Sequence, residues 1–281
     1  MRVALLVALL SAVVYGTADF LGGLAARRAA ALSATVVSQG IGLLLVALAL
    51  PLFPAEPPSL IGGLWAVGAG ATGGMGVGLL YYGLAVGRVS VVAPVTAVCS
   101  ITIPVLVAIS LGERPGHLAL AGIAVAVASV ALISRHDDPA GKPEGHDRSL
   151  AIALASGVAI GAFFVCLARA GNASGLWPLL IARAVSTVAL AAAARLARVP
   201  LVVPRAVVPV VVACGALDML ANALYLIAVR EGPLGLVATL ASLYPASTVL
   251  LARVVLGERL RPVQSIGLAC AAAAIVMITS R

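Results

Sequence analysis

Leu111-Gly112-Glu113-Arg114 is the stretch that decides the fold, because the same four residues return as Leu256-Gly257-Glu258-Arg259. The step from position 111 to position 256 is 145 residues, about half of the 281-residue chain. The same step leads from Ser11 to Ser156. Self-similarity at a fixed interval indicates a duplicated unit. The chain is therefore predicted to hold two related halves.

The composition places these halves in a lipid bilayer. Hydrophobic residues make up 62% of the chain and charged residues 10%, with a mean hydropathy of +1.16. A soluble domain carries about a quarter charged residues, so this chain has too few charges to cover a water-facing surface. The net charge of +8 comes from basic residues scattered at segment ends. Without a cluster of basic and aromatic residues, nucleic acid is not a predicted partner.

Ten apolar segments are long enough to be transmembrane helices. A bilayer core of about 30 Å needs about 20 apolar residues per helix. No strand alternation is visible, and lipid cannot satisfy open backbone groups, so helices are the predicted spanning form. The segments are Val3–Leu24, Ala31–Phe53, Leu60–Val86, Val89–Leu111, Leu118–Ser134, Leu150–Ala168, Leu176–Ala194, Ala206–Val229, Leu234–Leu256 and Val263–Thr279.

The longest polar stretch, 135–149, is predicted to link a first five-helix repeat (1–134) to a second (150–281). Because five is an odd number, the second half must enter the membrane from the opposite face, which makes an inverted repeat. The predicted fold class is an all-α membrane protein with ten transmembrane helices in two inverted five-helix repeats. Such proteins place their substrate site near mid-membrane, where the repeats meet.

This organisation resembles a known transporter family. Ten spans in two halves, the Tyr15-Gly16-Thr17-Ala18-Asp19-Phe20 stretch and the twin Gly-Glu-Arg turns look like the EamA type of the drug/metabolite transporter superfamily. The resemblance covers essentially the whole chain. It implies a compact ten-helix carrier that works by alternating access, often an exporter of amino acids, metabolites or toxic compounds.

Two signals disagree on the orientation in the membrane. The resemblance implies that both termini lie in the cytoplasm. Five basic residues fall on the face that bears the termini and eleven on the other face, and basic loops stay cytoplasmic, which favours termini outside. The orientation stays open. Because Lys142 is the single lysine among 18 basic residues, we expect a GC-rich genome and a multi-pass protein of a bacterial cell (inner) membrane.

Asp218 occupies the most expensive position for a charge, near the middle of the eighth segment. An aspartate at a helix centre costs about 2.5–3.5 kcal/mol to insert. At helical spacing Cys214, Asn222 and Tyr225 share its face, which predicts that the carboxyl points into the bundle. Asp218 is predicted to bind a cationic or amine-bearing substrate group or to carry a coupling proton. The alternative is a hydrogen-bonding group that only joins helices.

Asp19 is the second acidic candidate, about three quarters of the way along the first segment on a face with Tyr15. It lies either in the substrate pathway or at the membrane interface, paired with Arg27 or Arg28. Burial favours the neutral form of a carboxyl, which suits reversible protonation. The hypothesis is that protons are exchanged through Asp218, Asp19 or both.

Arg183 lies about a third of the way into the seventh segment. It is either a partner for Asp218 or an anionic substrate group, or a side chain that extends to the nearer membrane surface. Tyr244 lies mid-span immediately before Pro245, which places it well for a pocket.

Prolines interrupt several predicted helices, and an interruption frees backbone carbonyls. The helix-break candidates are Pro94, Pro104, Pro209 and Pro245. Four hydroxyl residues could satisfy the freed carbonyls: Thr96, Ser100, Thr102 and Ser242. Of these, Thr96, Ser100 and Ser242 join the substrate-site candidates. Broken helices at corresponding places in two halves point to a substrate site, but bends needed only for packing explain these prolines equally well.

The run Gly-Ala-Gly-Ala-Thr-Gly at 68–73 formally matches a dinucleotide-binding pattern. It lies deep in an apolar helix with no strand before it and no ribose-binding acid after it, so no cofactor is predicted. Gly70, Gly74 and Gly78 are spaced by four and instead predict a smooth face for close helix packing. The four cysteines form no C-x-x-C pair, so no metal or redox site is predicted.

The predicted function is a secondary transporter, an exporter of small amphipathic metabolites, amino acids or drugs by alternating access, with proton coupling as one option. The chain has no Walker motif and no nucleophile–base–acid cluster, so no enzyme activity is predicted. One alternative is an uncoupled facilitator or exchanger, and another is a lipid-handling membrane protein that does not transport. The predicted partners are a small-molecule substrate, the lipid bilayer and protons, and no oligomeric state is predicted.

Overall fold

The computed structural model describes residues 1–26, 28–86, 89–133, 146–171, 174–257 and 261–279, and their side chains except at positions 81, 83–86, 89–94 and 146–149. No strand occurs in these ranges. The helices are α1 (Arg2–Ala26), α2 (Ala31–Ala49), α3 (Leu60–Val86), α4 (Val89–Ser110), α5 (His117–Ile133), α6 (His146–Arg169), α7 (Trp177–Leu196), α8 (Val208–Glu231), α9 (Leu234–Ala241), α10 (Tyr244–Leu256) and α11 (Pro262–Thr279).

The ten predicted segments are all present as helices. In the described part of the chain, eight helical segments are long and apolar enough to cross a bilayer, and α9 with α10 counts as one of them, Leu234–Leu256. Helix α5 and the Val95–Ser110 part of α4 are shorter apolar helices that complete the set. The prediction of an all-helical membrane protein in two five-helix repeats is confirmed. Most of the predicted linker, 135–149, lies outside the described residues, and α6 begins at His146 rather than at Leu150.

The packing is reciprocal between the two halves. Helix α1 lies against α8, and its repeat mate α6 lies against α3. In the same way α2 packs on α8 while α7 packs on α3, α2 meets α7, and α5 meets α11. Since each half has five spans, the halves are inverted relative to each other. The face with the start of α1 and the end of α11 is called the terminal face below, and the other is called the opposite face.

Two hydrogen bonds between the halves obey the repeat. The hydroxyl of Ser11 donates to the carbonyl oxygen of Ala221 at 2.9 Å, and that of Ser156 donates to the carbonyl oxygen of Gly76 at 2.8 Å. Positions 11 and 156, and positions 76 and 221, are each separated by the 145 residues of the sequence repeat. The symmetry seen in the sequence is therefore carried into the packing of α1 on α8 and of α6 on α3.

The glycine face of α3 packs against α7, as the four-residue spacing predicts. A Cβ atom at Gly70 would lie 2.5 Å from the carbonyl oxygen of Ala182, and one at Gly74 would lie 3.3 Å from the backbone of Ser186. Gly78 faces the same helix one turn further on. The packing interpretation is confirmed. The two backbones approach closely only because these positions lack side chains.

Replacing Gly70 with alanine is expected to destabilise the protein by about 1–2 kcal/mol, because overpacking displaces a neighbouring backbone. The matched control is Gly63→Ala on the same helix, where a new Cβ atom meets nothing within 4 Å. Thermal unfolding in detergent should show a lower midpoint for the Gly70 variant and an unchanged midpoint for the control. Equal midpoints for the two variants would contradict a close α3–α7 contact.

The four prolines predicted to break helices do not all do so. The ninth segment is broken between α9 and α10, and Pro245 lies in the first turn of α10. Pro209 lies in the first turn of α8 and therefore starts a helix rather than interrupting one. Helix α4 runs from Val89 to Ser110 across Pro94 and Pro104 without an end. A proline within a span can be accommodated when neighbouring helices support it, and α4 has such a neighbour in α6.

The twin turns end helices through glycine. Gly112 has φ +93° and Gly257 has φ +68°, the left-handed region in which glycine closes a helix without strain. The carboxylate of Glu113 reaches across to the second half and caps α9: Oε1 accepts from the N–H of Leu234 at 2.7 Å and Oε2 accepts from the N–H of Gly235 at 3.1 Å. This turn is a structural contact between the halves. Its counterpart residues, 258–260, lie outside the described residues.

Candidate functional site

A cavity of about 890 Å³ lies where the two halves meet. It is lined by α1, α2 and α3 from the first half and by α6, α7, α8 and α10 from the second. Its polar side chains are those of Tyr15, Asp19, Gln39, Arg183, Ser186, Asp218, Asn222 and Tyr244. The rest of the lining is apolar or aromatic, and Gly70 and Gly73 of α3 form part of the floor.

Arg183 and Asp218 form an ion pair in the cavity wall, in which Arg183 is buried and Asp218 is partly exposed. Nη2 of Arg183 donates to Oδ2 of Asp218, and Nη1 donates to Oε1 of Gln39. The hydroxyl of Ser186 donates to the same Gln39 oxygen at 3.2 Å. The sequence left Arg183 open between pairing and extension to the membrane surface, and the structure pairs it with Asp218. Its residue is only 7% exposed, so the guanidinium stays inside the bundle.

Asp19 is the carboxylate in this site that has no counter-ion among the described residues. No hydrogen bond or ion pair to it occurs in that part of the chain, and Arg28 is not its partner, while Arg27 lies outside the described residues. Asp19 is exposed, and the space it faces belongs to cavities. It lines the central cavity together with Asp218, and it also lines the two neighbouring cavities described below. The central cavity therefore holds two carboxyl groups and one guanidinium, and the guanidinium pairs with Asp218.

Aromatic rings form another part of the cavity wall. The ring of Tyr15 lies edge-on to Phe164 with centroids 6.4 Å apart, and 6.3 Å from the ring of Tyr244. The hydroxyl of Tyr15 is buried and has no hydrogen-bond partner among the described residues. Tyr244 is the first residue of α10, so the break between α9 and α10 delivers it to the cavity. An aromatic wall of this kind attracts apolar groups and cations.

The face of α8 predicted to point inward does so. Asn222 lines the central cavity, and its amide donates to the backbone carbonyl of Asp218 at 2.7 Å. Cys214 lines a neighbouring cavity one turn away. Tyr225 is fully buried, and its hydroxyl donates to the carbonyl oxygen of Phe164 at 3.0 Å. Helix α8 thus contributes the charged Asp218 to the cavity. Through Tyr225 it also supports Phe164 in the aromatic wall.

A second cavity of about 600 Å³ leads from this site toward the opposite face. It shares Asp19, Gln39 and Asp218 with the central cavity and extends to Ala26 and Ala31, at the connection of α1 to α2. A third cavity of about 430 Å³ lies between α1 and α10 and also reaches Asp19. Asp19 therefore lies where these three cavities meet.

Polar contacts hold the terminal face together. The indole nitrogen of Trp177 donates to the carbonyl oxygen of Ala55 at 3.1 Å. Nη2 of Arg230 donates to the carbonyl oxygens of Gly171 and Gly175 at 3.0 and 2.9 Å. Glu113 adds the cap on α9. The central cavity therefore has its connection toward the opposite face, while the terminal face is tied by these contacts.

Three predicted site residues lie away from the cavities. Thr96 and Ser100 are buried between α4 and α6, where the Thr96 hydroxyl donates to Ala153 O at 3.2 Å and the Ser100 hydroxyl to Ala97 O at 2.8 Å. Ser242 is buried at the break between α9 and α10 and does not line the cavities described above. For Thr96 the reason is the close packing of α4 on α6 at Gly157, where its hydroxyl bonds to α6, whereas the Ser100 hydroxyl is used by a carbonyl of its own helix.

Four residues that line the cavity with a polar or aromatic side chain were not predicted from the sequence: Gln39, Ser186, Phe163 and Phe164. Gln39 is the one amide of the second segment, whose other polar residues are the hydroxyl residues Ser33, Thr35 and Ser38. An unexplained amide at that depth is the signal that marks it. Phe163 and Phe164 are half of the four phenylalanines in the chain, placed together in the sixth segment. In a chain so poor in aromatic residues, that pair is informative.

The described residues bring no group of three His, Cys, Asp or Glu side chains close enough together to hold a metal ion. The four cysteines are free thiols and half-buried. The side chains of the cavity supply charge, hydrogen bonds and aromatic contacts.

Comparisons with known proteins agree with this architecture. The model of the EamA-like transporter family matches the chain in two copies, over residues 2–135 and 148–280. No curated protein sequence matches the chain. Among the solved structures, 20 chains match. One crystal structure of a protein superposes with a TM-score of 0.79 at 18% sequence identity, covering 98% of this chain and 95% of the other. At that identity the likeness concerns the fold alone.

Proposed function

Because the chain belongs to the EamA-like transporter family, we propose that it is a secondary transporter that exports small amphipathic solutes carrying a positively charged amine. The candidate solutes are the metabolites, amino acids and drugs that carry such an amine. The solute enters the central cavity and crosses by alternating access, as one repeat moves against the other. The membrane is the bacterial cell membrane, with the basic, opposite face in the cytoplasm.

The observation that carries the proposal is the carboxylate of Asp19, which has no counter-ion among the described residues and lies in an aromatic cavity. A cation that leaves water needs a counter-charge, because an uncompensated charge in a low-dielectric site is costly. Asp19 supplies that charge. The rings of Tyr15, Phe164 and Tyr244 supply apolar surface and cation–π attraction, worth about 0.5–2 kcal/mol for a well-placed ring.

The two membrane faces differ, and this difference supports alternating access between two states that the repeat relates. The second cavity connects Asp19 to the opposite face, while the Glu113, Trp177 and Arg230 contacts tie the terminal face. Inverted repeats exchange roles when a carrier switches state. With the opposite face in the cytoplasm, this state loads a solute from inside the cell, which is the loading step of an exporter.

The test uses ligands that share a phenyl ring and differ in charge near pH 7: benzyltrimethylammonium as cation, benzenesulfonate as anion and phenylalanine as zwitterion. Purified protein should bind the cation in preference to the anion, measured by equilibrium binding and by the shift of the thermal unfolding midpoint. Proteoliposomes should accumulate the labelled cation. Equal binding of cation and anion would reject a charge-selecting cavity.

Transport is expected to be coupled to protons through Asp19, Asp218 or both. A carboxylate that binds a cation in one state and a proton in the other exchanges the two across the membrane. In proteoliposomes with an internal pH dye, adding benzyltrimethylammonium should drive a proton flux that Asp19→Asn or Asp218→Asn abolishes. Unchanged flux in both variants removes the coupling. Counterflow that needs no proton gradient would then identify an uncoupled exchanger.

A further inference from the structure

We infer that Asp218 serves as the fixed counter-ion of Arg183 rather than as a ligand for the solute, so that the pair cancels and Asp19 alone sets the charge preference of the cavity. The inference rests on the proposed function for what enters the cavity. It adds which carboxylate selects the solute and what happens when the pair is broken.

The guanidinium of Arg183 is committed on both sides. One terminal nitrogen binds Asp218 and the other binds Gln39, and Gln39 is itself held by Ser186. The Arg183 side chain is 8% exposed, whereas that of Asp218 is 28% exposed. The carboxylate is therefore the part of the pair that a solute can contact, but its charge is already compensated.

Close helix packing keeps Arg183 from leaving this position. A Cβ atom at Gly42 would lie 3.5 Å from Nε of Arg183, so the side chain runs over a glycine of α2. Behind it α2 and α8 nearly touch, because a Cβ atom at Gly215 would lie 2.4 Å from the carbonyl oxygen of Ser38. Arginine does not lose its proton in proteins. If Asp218 is neutralised, a positive charge therefore stays in the cavity wall.

The charges that remain at positions 19, 183 and 218 in each variant then predict which ligand that variant prefers. With both carboxyl groups ionised, Asp19, Asp218 and Arg183 together carry one negative charge. D218N/R183Q with Asp19 ionised carries the same net charge. D218N leaves a separate carboxylate and guanidinium, which suits a zwitterion. D19N/D218N leaves the guanidinium alone, which suits an anion.

The experiment measures the dissociation constants of benzyltrimethylammonium, phenylalanine and benzenesulfonate for the wild type and these variants. D218N/R183Q is expected to keep cation affinity within about threefold of the wild type, whereas D19N loses at least about tenfold. D218N is expected to bind phenylalanine better than the cation, and D19N/D218N to bind benzenesulfonate best. Monodispersity on size exclusion and the unfolding midpoint are recorded for every variant.

The decisive comparison is between the wild type and D218N/R183Q. D218N/R183Q has no unpaired charge at these two positions. It is therefore expected to fold even if D218N alone does not, since an isolated buried guanidinium is destabilising. Loss of cation binding in the double variant would show that Asp218 binds the solute itself and would overturn the inference. Failure of the wild type to prefer the cation would instead reject the proposed function.

Discussion

Replacing Asp19 with asparagine is expected to lower the affinity for benzyltrimethylammonium by at least about tenfold, the equivalent of about 1.4 kcal/mol. Asp19 is the carboxylate of the central cavity without a counter-ion among the described residues, and it also borders the route to the opposite face. Truncating one partner of a desolvated charge pair commonly costs about 2–5 kcal/mol, so tenfold is a lower bound. Equilibrium binding of the labelled cation to purified protein measures the effect.

Two control variants separate the loss of charge at position 19 from a general effect of substitution. Asp19→Glu keeps the charge and should retain most of the affinity. Glu231→Gln removes an exposed acid at the end of α8, outside the cavities described, and should bind like the wild type. If Asp19→Asn and Glu231→Gln bind the cation equally, Asp19 is not the selecting charge.

Replacing Glu113 with alanine is expected to destabilise the protein by about 3 kcal/mol, because two charge-assisted hydrogen bonds are lost at once. The carboxylate caps the backbone N–H groups of Leu234 and Gly235, where α9 begins. A helix start left without acceptors in an apolar environment has no water to replace them. Because Glu113 belongs to the first half and α9 to the second, the loss also loosens the contact between the halves at the terminal face.

Thermal unfolding in detergent measures this effect, with Glu56→Ala as the control. Glu56 lies in the connection before α3, also at the terminal face, and its side chain is exposed. The unfolding midpoint should fall strongly for Glu113→Ala, partly for Glu113→Gln, which keeps one acceptor oxygen, and not for Glu56→Ala. A midpoint for Glu113→Ala equal to that of the control would mean that the cap contributes nothing to stability.

The fold could be predicted from the sequence because lipid imposes few solutions. Long apolar segments must be helices, and the repeated Leu-Gly-Glu-Arg turn divides them into halves of five. Local residue types did not determine where helices break. Pro245 coincides with a break while Pro104 lies inside a continuous helix, and the difference comes from the packing partners of each helix.

The site could be predicted where a residue is costly in lipid. Asp218, Asp19 and Arg183 each carry a charge within a span, so the bundle has to enclose them, and the cavity contains all three. Hydroxyl groups carry no such constraint. The Ser100 hydroxyl donates to a carbonyl of its own helix and the Thr96 hydroxyl to one on α6. The position of a hydroxyl residue within a span therefore did not indicate whether it lines a cavity. The roles of the three charged residues in binding and coupling stay predictions.

The hydrogen bonds of Ser11 and Ser156 have a consequence for biosynthesis. Helix α1 leaves the ribosome long before α8, the helix that accepts the Ser11 hydroxyl. The surface of the nascent first half that will meet α6, α7 and α8 therefore stays uncovered until the translocon has released those later spans. Chains that terminate between the halves expose that surface permanently, and membrane quality-control proteases can recognise them by it.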